Sequence, residues 1–509
     1  MSASPPPKPA RRHPKKAPRQ PRSHTPLADA LARPRTFADT ELAEGLQRHS
    51  LPGLLRSALG RGRRPDGEPL PNLLCALLVW PLLQARSIHC FCAELCQFLT
   101  GKVSALYDFL GREDINWRGL SAELARRVHQ ANDLGPRSQR AFVVDDTSRE
   151  RAGRKVQGTC CYFDHNQGRT RHGHQALHLG LAAEKGFLPN GAQLVMGAKG
   201  RVEKPGDKPF RDQRSAAARD MSRAAGQDKH SLFRDLLRRA VRAGFRAAYA
   251  LGDAWFGCKE NIACCLDLEL TAIFQMKRGL LAYRHRGQAR TAHQLYWLVR
   301  RRMRPATPKA RFKTGSLVVG LDLNTDPGQP ARWVDVRLVF SAPVRAASAD
   351  TWVVFLCTDT QRSDAKILQV YALRWSVEVY FKEIKQHLGF LTEQSGRYEV
   401  AYASVHLAAM RYLLLFEAML RAGQLSYGEI RDREGGRLQT LTYAALLWQL
   451  FRALIEGALE GLVKELGRAV IKRVLSAIDQ TVEGFLSRAL QIDPEQVAVQ
   501  LKAEELGYL

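Results

Sequence analysis

Three short apolar runs punctuated by amphipathic helical stretches constrain this chain most. AFVVDD (141–146), FRAAYALGD (245–253) and ELTAIFQMK (269–277) each have the length and β-branched or aromatic content of a buried strand. Between the first two lies SLFRDLLRRAVRAG (231–244), a helix with Ser231 as its expected N-cap and Gly244 just past its end. Its apolar face is Leu232, Phe233, Leu236, Leu237, Ala240 and Val241. Strands alternating with helices can bury both faces only in an α/β sheet with parallel pairing. HQALHLGLAAE (174–184) and AQLVMGA (192–198) read as further strands, with turns at Gly186, Pro189 and Gly191.

The flanks have a different texture. LADALA, ELAEGLQRH and AELCQFL carry helical spacing within residues 27–138, interrupted by the loop GRGRRPDGEPLP. More than 90 residues separate ELTAIFQMK from the helix near Tyr371, too many for a simple connection. They include RWVDVRLVFSAP, where Val334, Val336, Leu338 and Phe340 alternate with Trp333, Asp335 and Arg337, the pattern of an antiparallel strand with one wet face. The expected order is a basic Pro-rich tail (1–26), a helical DNA-binding region (27–138), the first part of the core (139–278) and a β-rich insertion (279–358). A second core part (359–420) and C-terminal helices (421–509) complete it.

Charge narrows the partners. Lys and Arg number 77 against 50 Asp and Glu, a net +27. Residues 1–24 contribute seven basic residues, seven prolines and no acid, so they should be disordered, and 27 less 7 leaves +20 on the body. A basic body favours a polyanion. No apolar run follows the basic N-terminus, so no secretory signal is expected, and ten cysteines should then be reduced thiols in the cytoplasm. The spacing in HCFCAELC (89–96) does not match paired zinc knuckles and reads as helix.

Three acids stand out. Asp146 and Asp253 end strands, where an open α/β sheet places its ligands, and Glu378 lies on a late helix. On an unbroken helix Tyr371, Arg374, Glu378 and Lys385 fall at about 0°, −60°, −20° and −40°, one polar strip. Val370, Leu373, Val377, Phe381, Ile384 and Leu388 form an apolar stripe beside it, and Glu383 points to solvent. Any single acid of this kind can also cap a helix or pair with an arginine. Three in this order, with cations on the same strip, suit hard divalent ions such as Mg²⁺ or Mn²⁺. His172 and His174 read as the wet face of a hairpin strand, and the arginines from Arg201 to Arg242 as either a solvated face or a DNA track.

These residues resemble the DDE insertion-sequence transposases of bacteria, in the cut-and-paste subgroup whose signature is Tyr, two residues, Arg, three residues, Glu, six residues, Lys. Tyr371, Arg374, Glu378 and Lys385 stand at those spacings. DDTS (145–148) resembles the segment of the first acid followed by Thr, which points to Asp146 rather than Asp145, and YALGDAWFG resembles the second-acid segment. DFLGREDINW (108–117) is more weakly similar to the family's N-terminal region. The resemblance implies an RNase H-like core in which Asp146, Asp253 and Glu378 hold two Mg²⁺ or Mn²⁺ ions. It implies cleavage and strand transfer at transposon ends held in a synaptic homodimer on nucleoid DNA. Tyr371, Arg374 and Lys385 would grip the DNA end. Trp333, with Arg337 on the wet strand face, would stack on a flipped base or else be half-buried packing. A nuclease or resolvase without strand transfer, and a non-enzymatic DNA-binding derivative, are the alternatives.

Overall fold

The computed structural model describes residues 45–46, 48–59, 70–83, 85–95, 103–153, 155–164, 167–196, 210–305, 310–326, 328–345, 350–436, 454–455, 457–459 and 467–489. The basic tail, the linker at 197–209 and most of TYAALLWQLFRALIEGALEGLVKEL lie outside these residues.

One mixed sheet of twelve strands organises the described chain. Its first half is β1 (Ala141–Glu150), β2 (Cys160–Asp164), β3 (Arg169–Ala183), β4 (Gly186–Val195), β5 (Tyr249–Gly252) and β6 (Thr271–Gln275). The second half is β7 (Ala282–His285), β8 (Gln288–Thr291), β9 (Arg304–Pro305), β10 (Phe312–Asp322), β11 (Trp333–Pro343) and β12 (Val353–Cys357). The spatial order is β2-β3-β1-β5-β6-β12-β11-β10-β7-β8, with β4 on β3 and β9 on β10. The pairs β1–β5 and β5–β6 are parallel, as the strand–helix–strand pattern requires, and the rest are antiparallel. This is the α/β, RNase H-like core, with the β-rich insertion added to the same sheet through β12 and β6.

Buried apolar side chains explain the layers. Leu232, Phe233, Leu236, Leu237 and Ala240 of the helix Lys229–Arg242 pack on β3 and β4. Its N-cap is Asp228, whose side chain accepts from Ser231 N at 2.7 Å, so Ser231 lies inside the first turn rather than capping it. Gly244 follows the helix at φ 91°, a conformation in which a Cβ is disfavoured. Pro189 and Gly191 are not turns. Both lie within β4, where the register against β3 shifts between Leu179 and Gly180, so the chain accommodates Asn190 as a bulge.

The helical flank packs as expected of its apolar spacing. Helices Leu51–Ala58, Leu70–Val79, Ile88–Leu95, Val103–Leu110 and Trp117–Ala131 precede the sheet. In Ile88–Leu95, Cys92 is buried and His89 exposed. The helix Tyr398–Ala422 is long and apolar enough to cross a membrane, but it is buried as the central helix of the fold. It contacts Trp117–Ala131 and β4, joining the flank to the core. Within the insertion, the helix Ala292–Val299 is not legible among the strand patterns. Thr291 and Gln294 close it with a reciprocal capping box, and Tyr296 stacks on Trp352 with centroids 4.2 Å apart.

Candidate active site

Strand periodicity decides which acid faces what. Side chains of β1 alternate between faces, so Asp145, Thr147 and Arg149 share one side and Asp146 and Ser148 the other. Asp145 lies opposite His178 of β3. His178 is wholly buried, with its Nδ1 3.2 Å from the Tyr380 hydroxyl on the helix Trp375–Gln386. The Asp145 face is therefore the one covered by the helix that carries Glu378.

One guanidinium joins two of the acids. Arg374 Nη1 donates to Asp145 Oδ2 at 2.7 Å and to Glu378 Oε1 at 3.3 Å. Adding those contacts puts the two carboxylate oxygens at most about 6 Å apart. Asp253 follows β5 directly. Val143 pairs with Leu251 in parallel register, and Asp145 and Asp253 each lie two residues further along, close enough for the Asp253 charge to act on Asp145. Burial pushes the Asp145 carboxyl up to about 7, with the Asp253 and Asp146 charges adding to the rise and Arg374 opposing it. Negative charge is packed here more tightly than Arg374 offsets.

The rest of the strip is anchored around this cluster. The Tyr371 hydroxyl donates to Gly252 O at 3.4 Å, and its ring packs on Phe355 at 4.6 Å. Burial pushes that phenol up to about 12. Lys385 Nζ donates to Thr147 Oγ1 at 3.1 Å, and burial followed by the Arg149 charge lowers its ammonium pKa. Beyond Lys385 opens a cavity of about 520 Å³, between the helical flank and the core. Arg86, Arg149, Lys385, His387 and Arg431 supply its basic wall, with Asp432 as the acid present. It adjoins the carboxylates along the helix rather than enclosing them.

A family model described as DDE superfamily endonuclease matches residues 61–336, more than half of the chain. The chain is a DDE superfamily endonuclease. The match takes in Asp145 and Asp253 and ends before Glu378, whose place beside them rests on the Arg374 contacts. No curated protein matches the sequence.

Several expectations for this endonuclease change. Asp146 points away from the Arg374–Glu378 pair: Lys229 Nζ donates to its Oδ1 at 3.1 Å and Gln175 Nε2 to its Oδ2. The choice between adjacent acids depends on which face the late helix covers, which one sequence does not disclose. The stretch around the signature is not one helix. Asp364–Tyr371 ends in a 3₁₀ turn at Ala372–Arg374 before Trp375–Gln386 begins, so Arg374 projects from a tightened turn. Glu383 is buried rather than solvent-facing, paired with Arg431 Nη1 at 2.6 Å.

Trp333 and Arg337 lie elsewhere. Register links Arg337 through Cys357 and Ile273 to Leu251. Trp333 is four residues before that level and Asp253 two beyond it, on strands running the same way. That separates them by about 20 Å along the strands and three strand spacings across. The exposed Trp333 ring meets the Arg284 guanidinium at 3.8 Å, and Arg337 donates to Thr360 O at 2.7 Å and to Ser316 Oγ at 2.9 Å. His174 is buried rather than wet, its Nε2 3.0 Å from Gln157 O, while His172 Nε2 sits 2.9 Å from Thr159 Oγ1.

Enzymes of this family generally use divalent metals. Among the described residues, no three His, Cys, Asp or Glu side chains stand close enough to ligate one ion as placed. Arg374 Nη1 instead donates to both Asp145 and Glu378. The donors themselves are hard oxygens in charge excess, which fits a divalent cation in place of that guanidinium.

Proposed function

We propose that this DDE endonuclease is an insertion-sequence transposase of the Tyr-Arg-Glu-Lys subgroup, working by cut-and-paste. Its metal-binding acids are Asp145, Asp253 and Glu378, with Asp145 in the role that the Asp-Thr pattern suggests for Asp146. The single observation carrying this reading is the Arg374 bridge between Asp145 and Glu378, with Asp253 just past the end of the next strand. A pair of Mg²⁺ or Mn²⁺ ions bound by these carboxylates supplies Lewis-acid activation of a water or hydroxyl and stabilises the leaving oxygen.

The chain's own groups prepare for that. Asp145, whose carboxyl is raised to about 7, would hold the ions together with Asp253 and Glu378. Arg374, Lys385 and Tyr371, which the contacts place around the acids, would meet phosphate oxygens of the DNA end. Water attack at phosphorus breaks the P–O3′ bond and frees a 3′-hydroxyl. That hydroxyl then attacks a phosphate of the second strand or of the target, expelling a 3′ oxygen.

Two ends must be held together for strand transfer, so a homodimer on nucleoid DNA in the cytoplasm is the proposed working form. The test is a donor plasmid carrying the DNA that flanks the coding sequence. Mg²⁺-dependent excision with joined target products is expected. Cuts without joined products would leave a nuclease or resolvase in its place. No cutting by wild type, with Glu378→Ala retaining biological activity, would leave a DNA-binding derivative.

A further inference from the structure

Two residues past Asp253, the fold leaves Trp255 47 % exposed while Phe256 beside it is fully buried. An indole left half in water forgoes a large apolar burial, so its position asks for another account. The ring is held in place. Its backbone N–H donates to Asp253 Oδ1 at 2.9 Å, tying it to the acid. His230 lies parallel to the indole with centroids 6.2 Å apart. That imidazole is itself fixed, its Nδ1 3.1 Å from Asn261 Nδ2 and 3.7 Å from Cys258 Sγ. The turn behind the ring packs closely on β6, where a Cβ at Gly257 would stand 2.6 Å from Gln275 O.

Two ammonium groups complete the surface. Lys277 Nζ lies 4.8 Å and Lys229 Nζ 5.3 Å from the indole centroid. Lys229 is also tethered to Asp146 Oδ1, whereas Lys277 is exposed. A fixed, half-exposed aromatic ring with ammonium groups over it suits single-stranded nucleic acid, whose bases stack on such a ring and whose phosphates draw the ammonium groups off it. An apolar protein surface would have to desolvate both lysines to cover the same ring. A base inside a duplex already has both faces stacked, so only an unpaired one can use the indole.

We propose that Trp255, with Lys229 and Lys277, is a stacking platform for an unpaired nucleotide adjoining the phosphate that is cut. The proposal rests on the reading of Asp253 as a member of the active-site cluster. It makes Asp146 a positioning residue, whose carboxylate sets Lys229 beside the ring.

Binding in the presence of EDTA tests the platform apart from catalysis. The full chain is titrated with a labelled blunt duplex and with the same duplex extended by a single-stranded thymidine tail. Wild type is expected to prefer the tailed probe. Trp255→Ala is expected to weaken tailed binding by about 5- to 150-fold, with blunt-duplex binding unchanged and Trp255→Phe retaining most of the preference. Lys277→Gln is expected to lower the salt slope on the tailed probe by about 0.7, which decides the matter should Trp255→Ala fail to fold. Equal wild-type affinity for both probes would overturn the proposal and favour a protein partner. An equal loss on both probes, or an unchanged Lys277→Gln slope, would also overturn it. Failure of metal-dependent cleavage in the active-site variants bears on the functional reading alone.

Discussion

Two carboxylate clusters in this fold meet arginine in opposite ways. Asp220, in the helix Ala216–Gly226, is almost fully buried and accepts from Arg118, from the Tyr398 hydroxyl at 2.6 Å and from Gln193 Nε2 at 3.1 Å. Those partners come from the helical flank, the central helix and β4, so one carboxylate joins four elements. Asp145 accepts from Arg374 and from the Asp146 backbone N–H at 2.8 Å, and feels the negative charges of Asp253 and Asp146. A carboxylate whose lone pairs are all met is structural. One facing further negative charge at a strand end is not satisfied in that way.

The largest difference should appear in catalysis. Asp145→Asn, Asp253→Asn or Glu378→Gln should each reduce metal-dependent nicking by roughly 10²- to 10⁴-fold, as expected when several kcal/mol of transition-state stabilisation is lost. Thermal unfolding should show these variants folded. Asp220→Ala should do the reverse. Leaving Arg118 buried without its partner should cost about 3–5 kcal/mol in urea unfolding, while nicking per folded molecule is retained. A loss of nicking in folded Asp220→Ala would erase the distinction between the clusters.

A smaller effect concerns pH. The Asp145 carboxyl is raised in the folded chain, from an ordinary 3.8 to about 7. Its contribution to stability is therefore fully present below about pH 4 and lost as pH rises towards 7. Without divalent metal, wild type should lose stability across that window relative to Asp145→Asn, and adding Mn²⁺ at pH 7.5 should restore it in wild type alone. Parallel pH–stability curves for the two proteins would contradict the rise that burial and the neighbouring acids impose on Asp145. The smallest effect belongs to the insertion: Trp333→Ala, remote from the acids and in contact with Arg284, should leave nicking within the scatter of wild type. A large loss there would mean that the insertion reaches the cut site.

Periodicity makes much of this legible. Parallel β1, β5 and β6, the helix between them and the antiparallel β11 follow from apolar runs and alternation. The strand-end position of Asp253 and the fixed spacing of Arg374 and Glu378 can be read from the sequence, and the structure brings Arg374 and Glu378 into contact. Asp145 against Asp146 is not, because adjacent strand residues point to opposite faces and only tertiary packing says which face meets Arg374. Strand parity does group Asp145 with Thr147, the partner of Lys385, a signal available from pairing the two motifs. Glu383 escapes the sequence because wheel geometry gives direction around a helix but not what packs there, and Arg431 comes from a distant segment. Trp333 suits a stacking role on its own strand. The ladder of registers that carries it to the far end of the sheet involves four strands and cannot be read from one.

The most direct test compares two adjacent residues. Nicking of supercoiled plasmid in Mn²⁺ should be measured for Asp145→Asn and Asp146→Asn at matched folded fractions. Loss of nicking in Asp145→Asn, with Asp146→Asn staying within about tenfold of wild type, is the outcome predicted by the Arg374 bridge. Active Asp145→Asn beside inactive Asp146→Asn would contradict it and return the metal-binding role to the Asp-Thr pattern.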